Sequence, residues 1–123
     1  MSTSRIVSVV DDDNDVRLAL STLLRSYGWA TNTFESAEDF LQSGALQATA
    51  FLISDVRMPG LSGLDMYTEL VNRGYTPPTV FITAFPSPEL EQKVSDVGAL
   101  ALLSKPFDFA SIMPWLTAAL GRS

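Results

Sequence analysis

The feature that most constrains the fold is a fivefold alternation of short apolar runs with stretches of helical periodicity. The runs are rich in β-branched and aromatic residues, which favours strands, and they occupy residues 6–10, 29–34, 51–54, 79–83 and 100–104. After each run, apolar side chains recur every three or four residues, as they do on one face of a helix. Five β–α units predict an α/β domain, with a parallel sheet and helices on both of its faces.

Capping residues and glycines mark the predicted helix boundaries. Asp13, Ser36 and Ser62 are placed to cap the first three helices, and Gly28 follows the first one. Pro114 lies inside the last apolar stretch, where it would remove a hydrogen bond and clash one turn back, so we expect a kink or a late helix start near it. The apolar side chains that the third helix is expected to bury are Leu64, Tyr67, Leu70 and Val71.

The length and topology predict a single flavodoxin-like (βα)5 domain over residues 1–123. Two domains would each be too small to bury much core. Right-handed crossovers restrict such a five-stranded parallel sheet, and one common solution has the strand order 2-1-3-4-5. In such sheets ligands bind beyond the carboxyl ends of the strands, where strands 1 and 3 diverge. We therefore expect a functional site at that edge.

The composition excludes several kinds of chemistry. The chain has no cysteine and no histidine, so it holds no disulfide, no thiolate or imidazole metal site and no histidine-based triad. A net charge of −6 disfavours direct contact with nucleic acid or with an anionic membrane. No apolar run approaches the roughly 20 residues that span a bilayer, and residues 1–5 do not resemble a signal peptide. We therefore expect a cytoplasmic protein.

Polar side chains stand at the carboxyl ends of four predicted strands, and these are Asp11, Asp12, Asp55, Thr83 and Lys105. Two carboxylates about 4 Å apart repel by roughly 4 kcal/mol at an effective dielectric near 20, so a divalent cation, an ammonium group or a raised pKa must offset the repulsion. Ligands that are all oxygen favour Mg²⁺ over zinc or copper. An aspartate beside Mg²⁺, an ammonium group and a hydroxyl is suited to attack phosphorus and form an acyl phosphate.

These motifs together resemble the receiver domain of bacterial two-component response regulators. The matching strings are VVDDD at residues 9–13, DVRMPG at 55–60 with Gly63, FITA at 81–84 and KPF at 105–107. Each string is weak by itself, but all four occur in order, each at the end of a predicted strand, and they cover essentially the whole chain. The chain is most similar to receivers that precede a helix-turn-helix transcription module.

The resemblance implies a phosphorylation switch that catalyses only its own phosphoryl transfer and dephosphorylation, and not an enzyme. Asp55 would accept a phosphoryl group from a histidine kinase or a phosphotransfer protein. Mg²⁺ would be bound by Asp12, by Asp55 and by the backbone carbonyl of Arg57, while Asp11 would act mainly through a bound water. The change would be transmitted to the face formed by helix 4, strand 5 and helix 5, where a homodimer partner or an output domain could bind.

The resemblance also assigns roles to the ends of strands 4 and 5. Lys105 would pair with the phosphoryl group, Thr83 would move toward it, and the small Ala84 would leave access to the site. The peptide bond between Lys105 and Pro106 would be cis, which is rare and usually lies in a tight turn.

One position departs from the receiver pattern on the signalling side. Receivers usually carry Tyr or Phe three positions before the lysine, whereas this chain has Leu102 there. Leucine has no ring to swing inward as Thr83 moves, so the switch is either muted or served by another side chain. Phe85 is one candidate for that role, and its alternative role is a loop aromatic that shields the site.

Two other functions remain open. A degenerate receiver would be a binding module that works without phosphate, and it predicts normal partner binding when Asp55 is replaced by Asn. An aspartate-nucleophile phosphatase would need a further acidic motif after the lysine, where this chain offers only Asp108. The residues that such a phosphatase would use are Asp11, Asp13, Thr83 and Lys105.

Overall fold

The structure, a computed structural model, describes residues 6–121 and contains five strands and five helices in alternation. The strands are β1 (Ile6–Val10), β2 (Ala30–Phe34), β3 (Thr49–Asp55), β4 (Thr79–Thr83) and β5 (Ala101–Ser104). The helices are α1 (Asn14–Ser26), α2 (Ala37–Gln42), α3 (Gly63–Asn72), α4 (Pro88–Asp96) and α5 (Phe109–Leu120). The predicted succession of elements is confirmed, while the prediction about residues 1–5 falls outside the described residues.

The strands form one parallel sheet in the order β2-β1-β3-β4-β5, which confirms the predicted flavodoxin-like topology. The central strand β3 is buried along nearly its whole length, and β4 is buried throughout. Strands that are covered on both faces need apolar side chains on both, which explains why their sequences are continuous apolar runs.

Two apolar cores lie on opposite faces of the sheet. The first core includes Phe40, Leu52, Met66, Leu70 and Phe81 and packs the sheet against α2, α3 and α4. The second core includes Val9, Leu20, Leu24, Ile53, Ile112 and Leu116 and packs it against α1 and α5. Leu52 and Ile53 point to different cores because successive strand residues alternate between faces. The carboxyl ends of the buried strands are thereby held rigidly at one edge.

The predicted helix caps are present. The side chain of Asp13 accepts hydrogen bonds from the N–H groups of Asp15 and Val16, at 2.9 and 3.4 Å. The hydroxyl oxygens of Ser36 and Ser62 likewise accept from the N–H groups three residues later, at 3.0 and 3.1 Å. Each cap satisfies a donor that the first turn of the helix leaves without a partner.

The buried face of α3 differs from the prediction at Val71, which is exposed, and at Leu64, which is only half-buried. Gly63, Met66, Tyr67 and Leu70 are the buried residues of this helix. They follow the i, i+3, i+4, i+7 spacing of a single helix face. Val71 lies about 100° around the helix from Leu70 and is 42% exposed, so the prediction that it is buried was wrong.

Helix α5 begins at Phe109 and continues through Pro114. Of the two predicted alternatives, the late helix start near that proline is therefore wrong, and the kink stays a prediction. The ring of Pro114 is exposed, whereas Ile112 and Leu116 are fully buried in the second core. The apolar packing of that face stabilises the helix although the Ala110 carbonyl loses its usual donor. Within residues 6–121, no helix has the length and apolar character needed to cross a membrane.

Replacing Pro114 by Ala should stabilise the domain. The substitution restores the donor to the Ala110 carbonyl and removes the ring clash, and it costs little packing because the site is exposed. We expect the free energy of unfolding in urea to rise by about 1–3 kcal/mol. Thr117→Ala, at another exposed α5 position, is the control and should change it by less than about 0.5 kcal/mol. A loss of stability in Pro114→Ala would contradict this account.

Glu38 of α2 tethers the loop that joins β3 to α3, a contact that the sequence did not indicate. Its carboxylate oxygen Oε2 accepts a hydrogen bond from the N–H of Leu61 at 2.9 Å. The neighbouring Gly60 has a φ of +80°, and a Cβ at that position would meet the Glu38 carboxylate. The backbone hydrogen bond from Leu61 lowers the pKa of Glu38 below its ordinary value of 4.5. The ionised form of Glu38 is therefore the one that the fold favours.

The Glu38 tether should make a pH-dependent contribution to stability. Because the folded-state pKa is lowered, the contribution is present above the ordinary pKa of 4.5 and is lost as pH falls through the folded value. Urea unfolding should therefore show that Glu38→Gln is less stable than the wild type at pH 7, with a gap that narrows below pH of about 4.5. Glu35→Gln, at an exposed neighbouring carboxylate, should show no such pattern. A gap that stays constant with pH would argue against the tether.

Candidate functional site

The polar side chains at the carboxyl edge of the sheet converge as predicted. Asp11 follows β1, and Asp55 is the last residue of β3. Carboxylate oxygens of Asp11, Asp12 and Asp55 all lie within 4.8 Å of one another. Asp11 is fully buried and Asp55 is 6% exposed, whereas Asp12 is exposed to solvent. The structure thus places three acids in one cluster that opens to solvent on the Asp12 side.

Lys105 joins this cluster from the end of β5. Its ammonium Nζ lies 3.0 Å from Oδ2 of Asp11 and 3.2 Å from Oδ2 of Asp55. The Asp55 contact has hydrogen-bond geometry, while the Asp11 contact is an ion pair without it, so Asp11 Oδ2 is a buried oxygen that accepts no well-aligned hydrogen bond from residues 6–121. One ammonium group is therefore shared between two buried carboxylates.

The electrostatics of the cluster reflect burial and crowding. Burial raises the pKa of Asp55 above its ordinary value of 3.8, and the negative charge of Asp11 raises it further, against the opposing effect of Lys105. Burial by itself would lower the pKa of Lys105, but the ion pair with Asp11 and the charge and hydrogen bond of Asp55 outweigh burial and raise it. Lys105 therefore stays protonated at neutral pH, and one positive charge faces three carboxylates.

Thr83 stands beside Lys105 at the end of β4. Its backbone carbonyl accepts a hydrogen bond from the Lys105 N–H at 2.7 Å. Its hydroxyl oxygen accepts another from the N–H of Phe85 at 3.1 Å, which leaves the hydroxyl hydrogen available for donation. Ala84, which lies between Thr83 and Phe85 in the sequence, is exposed, so the surface beside Thr83 is open to solvent.

The side chain of Phe85 points outward. It is 68% exposed, and the guanidinium carbon of Arg57 lies 6.0 Å from the centre of its ring. A cation over an aromatic face at this distance is worth about 0.5–1 kcal/mol at an exposed site. The ring therefore joins the loops after β3 and β4 at the rim of the site and does not pack inward in this structure.

The remaining predicted positions lie beside the site. Leu102 is half-buried on β5 and packs against the first core. The Lys105–Pro106 peptide bond is cis. Gly63, at the start of α3, brings its backbone so close to Asp55 that a Cβ there would collide with the Asp55 carbonyl oxygen. Glycine at this position therefore allows α3 to pack directly beneath the end of β3.

Sequence reasoning missed Arg17 of α1. Its guanidinium Nη1 donates a hydrogen bond to the Asp11 backbone carbonyl at 2.6 Å, and Nη2 donates to Oδ1 of Asn14 at 3.1 Å. An arginine on the second turn of the helix after an acidic loop is the only signal that the sequence offers. That signal is weak, because charged residues on such a helix are usually solvated.

An apolar groove adjoins the acidic cluster. It has a volume of about 440 Å³ and runs between α1 and the loop that joins β5 to α5. Its walls include Leu20, Leu23, Pro106, Phe107 and Phe109, and Lys105 lines the end near the acids. The groove offers an apolar surface next to the carboxylates, and it is distinct from the polar cluster itself.

The comparisons with known proteins agree with this geometry. Residues 7–117 match the family described as the response regulator receiver domain, and the chain therefore belongs to this family of two-component signalling domains. The transcriptional regulatory protein FixJ of Azorhizobium caulinodans is 40% identical over 123 residues, which cover 100% of this chain and 58% of FixJ. Nodulation protein W of Bradyrhizobium diazoefficiens is 40% identical over 121 residues, which cover 98% of this chain and 53% of that protein.

Solved structures show the same architecture. The chemotaxis protein CheY4 of Vibrio cholerae has a TM-score of 0.85 at 28% identity, covering 97% of this chain and 100% of that one. The response regulator StyR has a TM-score of 0.85 at 36% identity, covering 94% of this chain and 58% of that one. The chain spans about half the length of the curated relatives it matches. The recognition of a receiver domain from its motifs is confirmed, and so is its fold.

Removing the shared ammonium should raise the pKa of Asp55 further. In Lys105→Met, the burial of Asp55 and the charge of Asp11 remain, while the group that lowers the pKa of Asp55 is lost. Carboxylate ¹³C NMR titration of the metal-free protein would follow Asp55 directly. Lys93→Met, at an exposed lysine of α4, should leave that pKa unchanged. An Asp55 pKa that falls or stays constant in Lys105→Met would refute the shared ion pair.

Proposed function

We propose that residues 1–123 form one receiver domain that acts as a phosphorylation-dependent switch of a two-component system. Asp55 would accept the phosphoryl group from a histidine kinase or a phosphotransfer protein. The observation that carries this proposal is the placement of Asp55 at the end of β3, 3.2 Å from the Lys105 ammonium and within 4.8 Å of oxygens from two further acids. That arrangement joins a nucleophile to the charges that phosphoryl transfer requires.

The donor set fits Mg²⁺. Three carboxylates supply only oxygen ligands, and the buried Oδ2 of Asp11 lacks a well-aligned hydrogen bond from the described residues. Oxygen ligands and few carboxylates are what Mg²⁺ prefers. Asp12, Asp55 and the Arg57 backbone carbonyl would hold the ion directly, and Asp11 mainly through a water. When bound, Mg²⁺ would neutralise charge on the phosphoryl oxygens.

The residues of this chain divide the chemistry among themselves. A carboxylate oxygen of Asp55 forms the new bond to phosphorus, while the bond between phosphorus and the donor's histidine nitrogen breaks and its electron pair stays on that nitrogen. The Lys105 ammonium pairs with a phosphoryl oxygen. The Thr83 hydroxyl, whose hydrogen is free of the Phe85 contact, donates to another. Ala84 is small and exposed, so it leaves the approach to Asp55 open.

The face formed by α4, β5 and α5 would transmit the change. Movement of Thr83 toward the phosphoryl group would alter the loop to α4, and Leu102 of β5 packs against the first core beside α4. An output domain or a second copy of the chain would bind this face. The names of FixJ and similar relatives describe transcriptional regulators. Since the charge of this chain is −6, we propose that any DNA contact belongs to another module.

The apolar groove beside Lys105 supports a protein phosphodonor. A donor histidine must bring its phosphoryl group within bonding distance of Asp55, and the groove supplies apolar surface next to that point. A small anion cannot bury apolar surface in this groove, whereas the apolar face of a helix in a partner protein can.

A phosphate-independent binding module is the second candidate. Leu102, in the place of the usual aromatic residue, is the observation that favours it, because leucine cannot couple to Thr83 as a ring does. The full set of acids, threonine and lysine at the strand ends favours the phosphorylation switch instead.

Incubation with Mg²⁺ and acetyl phosphate should add one phosphoryl group, seen as an increase in intact mass. The increase should depend on Mg²⁺, since a carboxylate cluster with one lysine repels the anionic donor. It should be absent in Asp55→Asn, which keeps the size of the side chain but loses the nucleophile.

The outcomes separate the candidates. Labelling that persists in Asp55→Asn would identify another nucleophile. If the folded wild type is labelled neither by acetyl phosphate nor by any phosphorylated kinase that binds it, and Asp55→Asn binds its partner normally, the binding module would be correct and the switch would not.

A further inference from the structure

We propose that Arg17 is a positioning residue for the Mg²⁺ site. Its guanidinium holds the Asp11–Asp12 peptide in the orientation that presents the Asp12 carboxylate to the ion. This inference rests on the proposed function of the acidic cluster and assigns a role to a residue outside it.

Arg17 brackets the loop between β1 and α1. Nη1 donates to the backbone carbonyl of Asp11 at 2.6 Å, and Nη2 donates to the side-chain oxygen of Asn14, the first residue of α1, at 3.1 Å. The two donors of a rigid, planar guanidinium thus fix one end of the loop relative to the other. A charged donor makes a short and comparatively strong hydrogen bond to a carbonyl, and the residue is half-buried.

Asp11 is held at each of its other polar groups as well. Its N–H donates to the Phe34 carbonyl of β2 at 3.1 Å, and its Oδ1 accepts from the Asp13 N–H at 2.9 Å. Its Oδ2 lies 3.0 Å from the Lys105 ammonium. The carbonyl is the remaining polar group, and Arg17 is its partner. Without Arg17, the carbonyl of the peptide group between Asp11 and Asp12 would lose the hydrogen bond that holds it.

Asp12 depends on that peptide more than the other acids do. Its side chain is exposed, and within residues 6–121 its carboxylate accepts no hydrogen bond, so no neighbouring group orients it. The peptide unit is planar, so the carbonyl of Asp11 and the N and Cα of Asp12 move as one body. By holding that carbonyl, Arg17 sets the direction in which the Asp12 side chain leaves the backbone.

The charge of Arg17 allows a sharp test, because an electrostatic role and a positioning role predict opposite changes in Mg²⁺ affinity when Arg17 is removed. If Arg17 acts only through its positive charge, it repels Mg²⁺, and its removal strengthens Mg²⁺ binding. If Arg17 positions Asp12, its removal weakens binding although a repelling charge is lost. A role confined to folding predicts a change in the free energy of unfolding with no change in the affinity of the folded protein.

Titration of the folded, unphosphorylated 123-residue chain with MgCl₂ in a calorimeter measures that affinity. Groups that orient metal ligands typically contribute 10–100-fold in affinity, and since Arg17 acts through the backbone we expect the Mg²⁺ Kd of Arg17→Gln to rise about 3–10-fold. Arg17→Lys should show a smaller rise, because an ammonium can hold the Asp11 carbonyl but does not bridge to Asn14 with a fixed fork. Urea unfolding of each variant at the same temperature reports stability separately.

Arg25→Gln is the matched control. Arg25 lies on the same helix and also donates from Nη2 to a backbone carbonyl, that of Thr31, at 3.3 Å. It lies in the last turn of α1, away from the acids, so its loss should leave the Mg²⁺ Kd within about twofold, given that distant sites act independently.

Several results would overturn the inference. They are an unchanged or lower Kd in Arg17→Gln, or an equal rise in Arg17→Gln and Arg25→Gln. If Arg17→Gln does not fold, Arg17→Lys decides, and a wild-type Kd in that variant would overturn the positioning role. If the wild type binds no Mg²⁺ and does not differ from Asp12→Asn, the proposed metal site itself is wrong, and the inference falls with it. Mg²⁺ binding by the wild type that is weakened in Asp12→Asn and in Arg17→Gln, but not in Arg25→Gln, would establish it.

Discussion

Two buried carboxylates share one ammonium group at the carboxyl edge of the sheet, and the rest of the site is arranged around that contact. Asp11 and Asp55 both face Nζ of Lys105, at 3.0 and 3.2 Å. One positive charge does not offset the negative charges of three nearby acids. The remaining repulsion between the carboxylates favours the binding of a further cation. The strands maintain this unfavourable arrangement because β1 and β3 are anchored along their length by two apolar cores. The packing of the two cores therefore keeps the carboxylates close together despite their repulsion.

The loops that leave the strand ends carry specific tethers. Glu38 holds the loop after β3 through the Leu61 N–H, and Arg17 holds the loop after β1 through the Asp11 carbonyl. Gly63 lets α3 begin directly against the Asp55 carbonyl. A metal ligand or nucleophile must be held to within about 0.5 Å to function well. Contacts of this kind let short loops meet that demand without extended secondary structure of their own.

The proposed signalling side carries three features of its own. Leu102 packs against the first core, Phe85 projects outward against Arg57, and α5 contains an exposed proline. Within residues 6–121, the hydrogen bonds and ion pairs of Asp11 and Asp55 involve none of these three features. Under the proposed function, phosphoryl transfer and its transmission would therefore be free to vary separately within one fold. The family match covers residues 7–117 and therefore extends over both sides.

The sequence by itself determined the five β–α units, their caps, the family and the residues that converge at the sheet edge, because apolar periodicity and strand-end position are local properties. It wrongly placed Val71 in the core, and it allowed a late start of α5 near Pro114 as an alternative to a kink. Burial on a neighbouring helix face, and packing that overrides a proline, are set by partners distant in the chain. The sequence also could not predict the contacts of Glu38 and Arg17. No local pattern pairs Glu38 with the N–H of Leu61, or Arg17 with the carbonyl of Asp11. Only the tertiary structure decided them, since a hydrogen bond depends on distances between elements that sequence spacing does not specify.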